Sequence, residues 1–553
     1  MIVDSKNIPD GAVLRADLCI VGAGAAGISV ALGLADSGSH VLMVESGGFS
    51  TNKSTGDFDK GEAASGSRHP PLHEYRRRVI GGTSTVWGGR CQPFDSITFE
   101  PRSYFSDLAW PISCEELLPY YRRANLVCEA GRFDYTVRGS LGHAGASLAP
   151  GFRDSAVRTD SIERYSCPTN FGHRYLDRLR FGTRLTLVHS ATCTAIRLHP
   201  DARHVDALVF RTLDGKTFQI AATRVVLALG CLETTRLLLA SNDVMPQGIG
   251  NHSDLLGRFY MSHIEARFSK LRLSASSPLI FGYERTEDGI YCRRTITISA
   301  DRQRRDGIGT MVARLQRPSI ADPSHGSGVL SAAFLTKSVL FSASSVLSVF
   351  EHRKRSTLTG AEYMRHVTNV FAGLPKLVTF APSWLCRRTL AQRKLPSVLV
   401  PVERTCALEI WTEQQPNRDS RVSLTRERDS LGLPRLRVDW RMADFDVRTM
   451  RRSVQIVQAE LRRTGSGDLQ LDDRELTEQL MSCTPVGGHQ IGTARMATAP
   501  SRGVVDDRCR VHGIDNLFVS GPAVFPTGGQ AGPMLTTVAL ALRLADHLKT
   551  GLA

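Results

Sequence analysis

Residues 17–48 read DLCIVGAGAAGISVALGLADSGSHVLMVESGG. The run Leu18-Cys19-Ile20-Val21 has the length and composition of a short buried strand. Gly22, Gly24 and Gly27 follow it in the spacing G-x-G-x-x-G, with Ala25 and Ala26 between the last two. Behind them, ISVALGLADSG predicts an apolar helix that stops at Gly38, and a second strand, His40 to Val44, delivers Glu45 and Ser46. Each part has a task in holding a dinucleotide. Gly22 permits the tight turn, Gly24 lets a pyrophosphate approach the backbone, and Gly27 lets helix and strand pack closely. The helix N-terminus stabilises phosphate charge. Glu45 stands 23 residues after Gly22, where a carboxylate accepts hydrogen bonds from an adenosine ribose.

Two further stretches repeat the strand-to-glycine design. RVVLALGCLETTRLLLAS, residues 224–241, is a buried strand that runs into Gly230 and then a helix. DNLFVSGPAVFPTGG, residues 515–529, places Val519-Ser520-Gly521 in the same relation. Three separated units of this kind imply a cofactor domain assembled from distant segments, which the long, extended FAD needs more than NAD does.

With 553 residues, 42% of them hydrophobic and 22% charged, the chain has the composition of a globular protein with a large core. The formal charge of +15 invites anionic partners. It is concentrated: from Glu351 to Lys394 nine Lys/Arg face two acids. Nucleic acid is excluded, because no recognition module accompanies the charge. Twelve cysteines without a CxxC pair argue for reduced, structural thiols and no metal site. The N-terminus lacks a basic region followed by an apolar core. A cytoplasmic location is therefore the expectation, with the inner face of the membrane as the second.

Beyond the fingerprint come VIGGTSTVWGG (79–89), LAWPISCEELLPYYRRA (108–124), EQQPNRDSRVSL (413–424), GGHQIGTARM (487–496) and FPTGGQAGPMLTT (525–537). In this order they resemble the glucose-methanol-choline (GMC) oxidoreductase family over nearly the whole chain, and most of all its pyranose-oxidase and bacterial sugar-oxidoreductase branch. The resemblance implies an α/β fold of the p-hydroxybenzoate-hydroxylase type. A discontinuous, Rossmann-like FAD domain (1–262 and 481–553) would be joined by a substrate domain (263–480) whose antiparallel sheet roofs the flavin. It also implies that Gly81, Gly82 and Ser84 lie along the FAD, with Trp87 and Gly88 nearby, Cys193 at the adenine, and Pro533 and Met534 at the flavin. In pyranose oxidases a histidine just before the tryptophan carries a covalent flavin. Here that position is Val86, so FAD is expected to be noncovalent.

The same resemblance makes His489 the catalytic base, a role that suits an imidazole titrating near neutrality. Its partner is missing. The family places Asn or His directly before the proline of the C-terminal motif, and this chain has Gly532. Three explanations stand open. Gln530 or a polar group of the substrate domain replaces the donor; Gly532 makes room for a bulky substrate; or alcohol oxidation is lost, as in the lyase-like members of the family. The implied substrate is a small sugar or glycoside, with O2 or a redox partner as electron acceptor.

In the middle of the chain, EQQPNRDSRVSL and LPRLRVDWR (433–441) alternate as half-buried antiparallel strands do, and Glu413 and Gln414 are candidates to point at the pocket. Residues 328–356 put Leu330, Phe334, Leu340, Phe341 and Leu347 near one helical face, and VTNVFAGLPKLVTFAPSWLCRR (367–388) is a second apolar segment; basic clusters follow both. Within this insertion, about 325–396, an amphipathic segment beside Lys/Arg suits peripheral membrane contact and a lipid-linked or long-chain alcohol as the alternative substrate. The valine at position 86 yields the first prediction. Acid precipitation of the purified yellow protein should release all its flavin as FAD, and flavin in the pellet would refute the noncovalent reading.

Overall fold

The computed structural model describes residues 1–142, 148, 156–167, 169–274, 282–340, 358–396 and 405–550. The fingerprint becomes a strand, Val13–Val21, a helix, Ala25–Gly33, and a strand, Val41–Glu45. The helix ends before Gly38, because the chain closes into a turn in which Ser37 N donates to Leu34 O.

Val13–Val21 lies between Val41–Glu45 and Thr217–Leu227, parallel to both. The short strand Leu517–Val519 adds in parallel to the end of Thr217–Leu227, pairing Leu227 with Val519. The three strand-to-glycine units of the sequence thus end side by side. Leu185–His189 and Ile2–Asp4 extend the sheet on one side, and Thr192–Leu198 with Val205–Arg211 form an antiparallel ribbon on the other. Strands covered on both faces must be apolar throughout, and Leu18, Cys19, Ile20 and Val21 are all buried. Gly33 allows the fingerprint helix to touch the C-terminal helix Met534–Lys549, since a Cβ there would stand 2.5 Å from Ala545 Cβ.

The second sheet is antiparallel, in the order Gly467–Leu469, Ile264–Leu273, Thr405–Thr412, Met311–Gln316, Tyr291–Ile298, Val157–Tyr165, Arg90–Cys91. Its strands carry two characters. Leu408, Ile410, Ala313 and Leu315 belong to the main core, as does the inner side of helix Asp444–Arg463 through Met450, Val454 and Val457. The alternate positions Glu409, Trp411, Arg314, Glu163 and Arg293 are polar or aromatic, yet buried. Because Val157–Tyr165 and Arg90–Cys91 belong to this sheet, the division at residue 262 is crossed: segments assigned to the FAD domain supply two of its strands.

The alternating stretches around 421–441 do pair antiparallel, as Arg421–Arg428 and Pro434–Asp439, but in a small separate sheet with Gly61–Ala63. In the insertion, helix Gly328–Leu340 buries Leu330 and Phe334 against Ile320 and Ala321. The apolar face expected to meet a membrane there faces inward instead; Phe341 and Leu347 lie outside the described residues. Helices Gly360–Ala372 and Leu374–Leu385 follow. Among the described residues no helix is long and apolar enough to cross a membrane.

Candidate active site

The nucleotide cradle is built where the parallel strands end. Gly22 has φ of +105°, and a Cβ on it would stand 2.6 Å from Ala228 O; on Gly27 it would stand 2.0 Å from Gly22 O. Neither position can hold a larger residue. Gly24 forms a bridge to Gly81, and a Cβ on Gly82 would lie 2.9 Å from Gly24 Cα, so the second glycine loop lies directly on the fingerprint. Ser84 locks that loop, its Oγ donating to Gly81 O and accepting from Phe171 N. Trp87 is anchored by Nε1 donating to Thr169 O, while Gly88 is exposed. Glu45 accepts from Ala23 N and Gly47 N, both at 2.9 Å. Ser46, Arg78, Thr192, Cys193 and Leu229 line one narrow cleft beside it. Gly230 has φ of +77° and Gly521 of +141°, opening the turns after their strands. Ala25 and Ala26 begin the fingerprint helix, and Pro533 and Met534 begin the C-terminal helix. This bare-backbone cradle, with a carboxylate and a polar cleft at one end, fits the FAD expected from the sequence.

His489 and the C-terminal motif are joined by backbone. Gly492 N donates to Pro522 O, Ala494 N to Ala523 O and Met496 N to Val524 O. A Cβ placed on Gly532 would meet His489 Nε2 at 3.4 Å and Cε1 at 3.5 Å, and no other heavy atom within 4 Å. Position 532 therefore faces the imidazole, and its φ is not left-handed.

The other edge of His489 meets a residue that sequence reasoning missed. His489 Nδ1 lies 3.0 Å from His263 Nδ1, and His263 Nε2 lies 2.9 Å from Gly529 O. A carbonyl can only accept, so Nε2 of His263 carries the proton. Burial holds the His263 pKa down at about 4, leaving its Nδ1 as a bare acceptor. His489 must then donate from Nδ1, which leaves a lone pair on its Nε2, the atom facing Gly532. His489 keeps partial exposure, but burial of its ring, followed by His263, Arg90 and Arg314, holds its pKa well below 6.5.

Gly529 is itself held. Its N–H donates at 3.0 Å to Glu413, whose carboxylate takes both Nη atoms of Arg102 at 2.7 and 2.9 Å and the Thr310 hydroxyl at 2.9 Å. Both partners of this ion pair are buried. Glu413 does not point at the pocket as expected; it clamps the loop behind it. Gln414 is likewise spent, accepting from Ser262 N and Trp440 Nε1 and donating to Arg441 O. The amide of Gln530 takes no part beside His489: Oε1 accepts from Asp95 N and Nε2 donates to Pro93 O, each at 3.2 Å.

The polar face of the antiparallel sheet forms the wall beside this pair. The Trp411 ring meets His489 edge-on at 5.1 Å, with the Arg90 and Arg314 guanidiniums 4.3 and 4.5 Å from its centroid. Burial alone would raise the Glu163 carboxyl, but Arg314, Arg90 and Arg293 outweigh it and hold it at about 2. Arg314 Nη1 and Arg90 Nη1 approach Glu409 Oε1 only to 3.6 and 3.9 Å, too far for hydrogen bonds. Among the described residues these atoms and Arg314 Nη2 have no hydrogen-bond partner. The alternation of Glu409 and Trp411 in ALEIWTE (407–413) was the available signal for this wall.

The sequence model of the GMC oxidoreductase family matches residues 416–541. A 6'''-hydroxyparomomycin C oxidase of Streptomyces lividus is 24% identical across 96% of this chain and 92% of its own. A 2-methyl-1,2-propanediol dehydrogenase of Mycolicibacterium austroafricanum is also 24% identical, across 97% and 95%. Among solved structures, pyridoxine 4-oxidase from Mesorbium loti superposes with a TM-score of 0.55 at 17% identity, covering 96% of this chain and 98% of that one.

The clamp can be tested by itself. Glu413→Ala leaves Arg102 buried without its counter-charge, a change that costs about 3–5 kcal/mol. A clear fall in the unfolding midpoint of the FAD-bound protein is expected, and an unchanged midpoint would mean the pair does not hold the loop.

Proposed function

We propose that this chain is an FAD-dependent oxidoreductase of the GMC type acting on CH–OH groups, and that it oxidises a sugar or glycoside with His489 as the base. The observation that carries this is the arrangement of the two imidazoles. Oxidising an alcohol removes a hydride from carbon and a proton from oxygen. Bound FAD, held by the residues of the glycine cradle, supplies the acceptor for the hydride. The proton goes to His489 Nε2, whose lone pair is fixed by the relay from the Gly529 carbonyl through His263. As His489 becomes an imidazolium, its Nδ1–H keeps donating to His263, so neither ring has to turn. His263 is a positioning residue, with both nitrogens already engaged.

The sugar reading draws support from the polar wall. A hydroxyl both donates and accepts, and beside Trp411 stand guanidinium donors and a carboxylate oxygen with unmet hydrogen-bonding capacity. Each such buried atom costs about 1–3 kcal/mol until it is paired, and a wall carrying donors and an acceptor is suited to a polyhydroxylated ligand. The S. lividus relative, named for a hydroxylated aminoglycoside, is in keeping with this. Of the three explanations for Gly532, steric room gains support, because the bare backbone stands against the base itself. The deciding experiment is anaerobic flavin reduction across free sugars, glycosides and long-chain alcohols, followed by admission of O2 to test oxygen as the acceptor. Reduction by none of them would favour a non-oxidative role.

His489→Ala should keep FAD and slow its reduction by roughly two to four orders of magnitude. A base works unprotonated, and the His489 pKa is depressed. In the parent, kcat/KM should therefore be level from pH 8 down to about 6.5 and fall only in more acid solution. An inflection at or above neutrality would contradict the assignment.

Gly532→Asn should put an amide beside Nε2. Turnover of small sugars is then expected to hold or improve, while bulky glycosides lose activity. Equal loss with every substrate, with FAD still bound, would rule out the steric account.

A further inference from the structure

Helices Gly360–Ala372 and Leu374–Leu385 follow one another across the single residue Gly373, with Gly373 N donating to Asn369 O and Leu377 N to Gly373 O, and the wider turn Cys386–Leu390 continues them. One face of this helical segment is clamped against helix Gly328–Leu340. His366 is fully buried, stacks on Phe334 at 4.4 Å and shares a hydrogen bond with Ser331; Asn369 donates to Ser331 Oγ and Pro323 O. Gly373 lies so close to Gly328 that a Cβ on it would stand 2.8 Å from Gly328 Cα.

The side chains of the opposite face are exposed. Met364, Phe371, Leu374, Val378 and Leu385 recur at intervals of seven, three, four and seven residues, the spacing that keeps side chains on one helical face. They are 64, 71, 47, 65 and 52% exposed, and Leu390 is 80% exposed. Helix Leu374–Leu385 has no buried residue at all. Among the described residues, six of the fifteen exposed large apolar side chains fall on this one segment. An apolar surface of this kind needs a partner.

Charge identifies it. From Leu358 to Pro396 six Lys/Arg (Arg365, Lys376, Arg387, Arg388, Arg393, Lys394) accompany a single acid, Glu362. Arg365, Arg387 and Lys394 are exposed beside the stripe. We propose that the exposed stripe of helical segment 360–390 seats this enzyme on the surface of an anionic phospholipid bilayer. The stripe enters the boundary between headgroups and acyl chains, and the basic side chains meet lipid phosphates.

The seat is connected to the site. Trp384, on the same helix, packs onto the cluster of Tyr165, Tyr291 and Leu395. The Tyr165 hydroxyl donates to Glu163, and Glu163 holds Arg314 against Trp411, the ring that meets His489. The surface turned to lipid and the polar wall of the active site are thus linked through successive contacts of Trp384, Tyr165, Glu163 and Arg314.

The test is co-sedimentation of the FAD-bound protein with vesicles of phosphatidylglycerol and phosphatidylcholine, or of phosphatidylcholine alone. The parent should pellet with the mixed vesicles, less so at high salt, and stay in solution with the neutral ones. Phe371→Ser with Val378→Ser, two residues outside the catalytic machinery, should weaken binding about tenfold or more. Turnover of a soluble alcohol and FAD content should be unchanged, which verifies the fold. Failure of the parent to pellet with anionic vesicles would overturn the proposal, as would equal binding to neutral ones or undiminished binding by the variant. So would a dimer that the substitutions dissolve, with no vesicle binding, since a second copy would then be the partner. Vesicle binding is read without turnover, so its failure leaves the sugar reading intact, and failure to oxidise sugars leaves the docking result intact.

Discussion

The carbonyl of Gly529 sets the chemistry of the site. It accepts the proton of His263 Nε2, and that single bond decides which nitrogen of each of two imidazoles is protonated. The carbonyl is trustworthy as a fixed point only because its own peptide is held from behind by the Glu413 carboxylate. Glu413 is in turn kept ionised by Arg102 and Thr310 against the penalty of complete burial. A buried ion pair adds little net stability when weighed against apolar substitutes. Here it fixes a loop to a sheet, and it joins Arg102 of the N-terminal part of the chain, Glu413 of the substrate sheet and Gly529 of the C-terminal motif.

The nucleotide cradle was legible because its signals are local. Strand, glycine turn, helix, strand and acid all fall within residues 17–48, and each obeys a short-range rule. The two outlying strand-to-glycine units were readable for the same reason, and in the sheet they stand beside the first. The environment of His489 was not legible. Its partner lies 226 residues away, at the mouth of a strand whose register no local pattern fixes. The sequence drew attention to Gln530 because it is near Gly532 along the chain, whereas its amide is engaged by Pro93 and Asp95 from the far N-terminal side. Glu413 and Gln414 were candidates to point at the pocket and do not, because alternation alone cannot say whether a buried carboxylate faces a substrate or a loop.

The same limit shows in the antiparallel sheet and in the insertion. ALEIWTE separates Leu408 and Ile410 from Glu409 and Trp411 plainly enough, yet only the pairing of that strand with Met311–Gln316, and of Tyr291–Ile298 with Val157–Tyr165 further along the sheet, brings arginines and a glutamate to the same side. In the insertion, the sequence marks two apolar segments, 328–356 and 367–388. Packing sends the one around Phe334 inward and leaves the one around Phe371 outside. Periodicity reports that a face is apolar, and neighbours far along the chain decide what covers it.

The way the parallel sheet closes has a consequence for synthesis. On one edge Thr217–Leu227 pairs with the first strand of the fingerprint; on the other Val205–Arg211 covers Thr217–Ile220, while Val225–Leu227 pair with Leu517–Val519. A ribosome adds roughly 5–20 residues per second, so the half-built sheet waits on the order of 15 to 60 seconds between Leu227 and Leu517 with an apolar edge unpaired. During that interval Val225, Val226 and Leu227, which end fully covered, are available to wrong partners, the hazard that unpaired edges bring. The cradle cannot reach its final form until the last part of the chain has left the ribosome. Docking of Leu517–Val519 and of the C-terminal helix is thereby the step that completes the cradle.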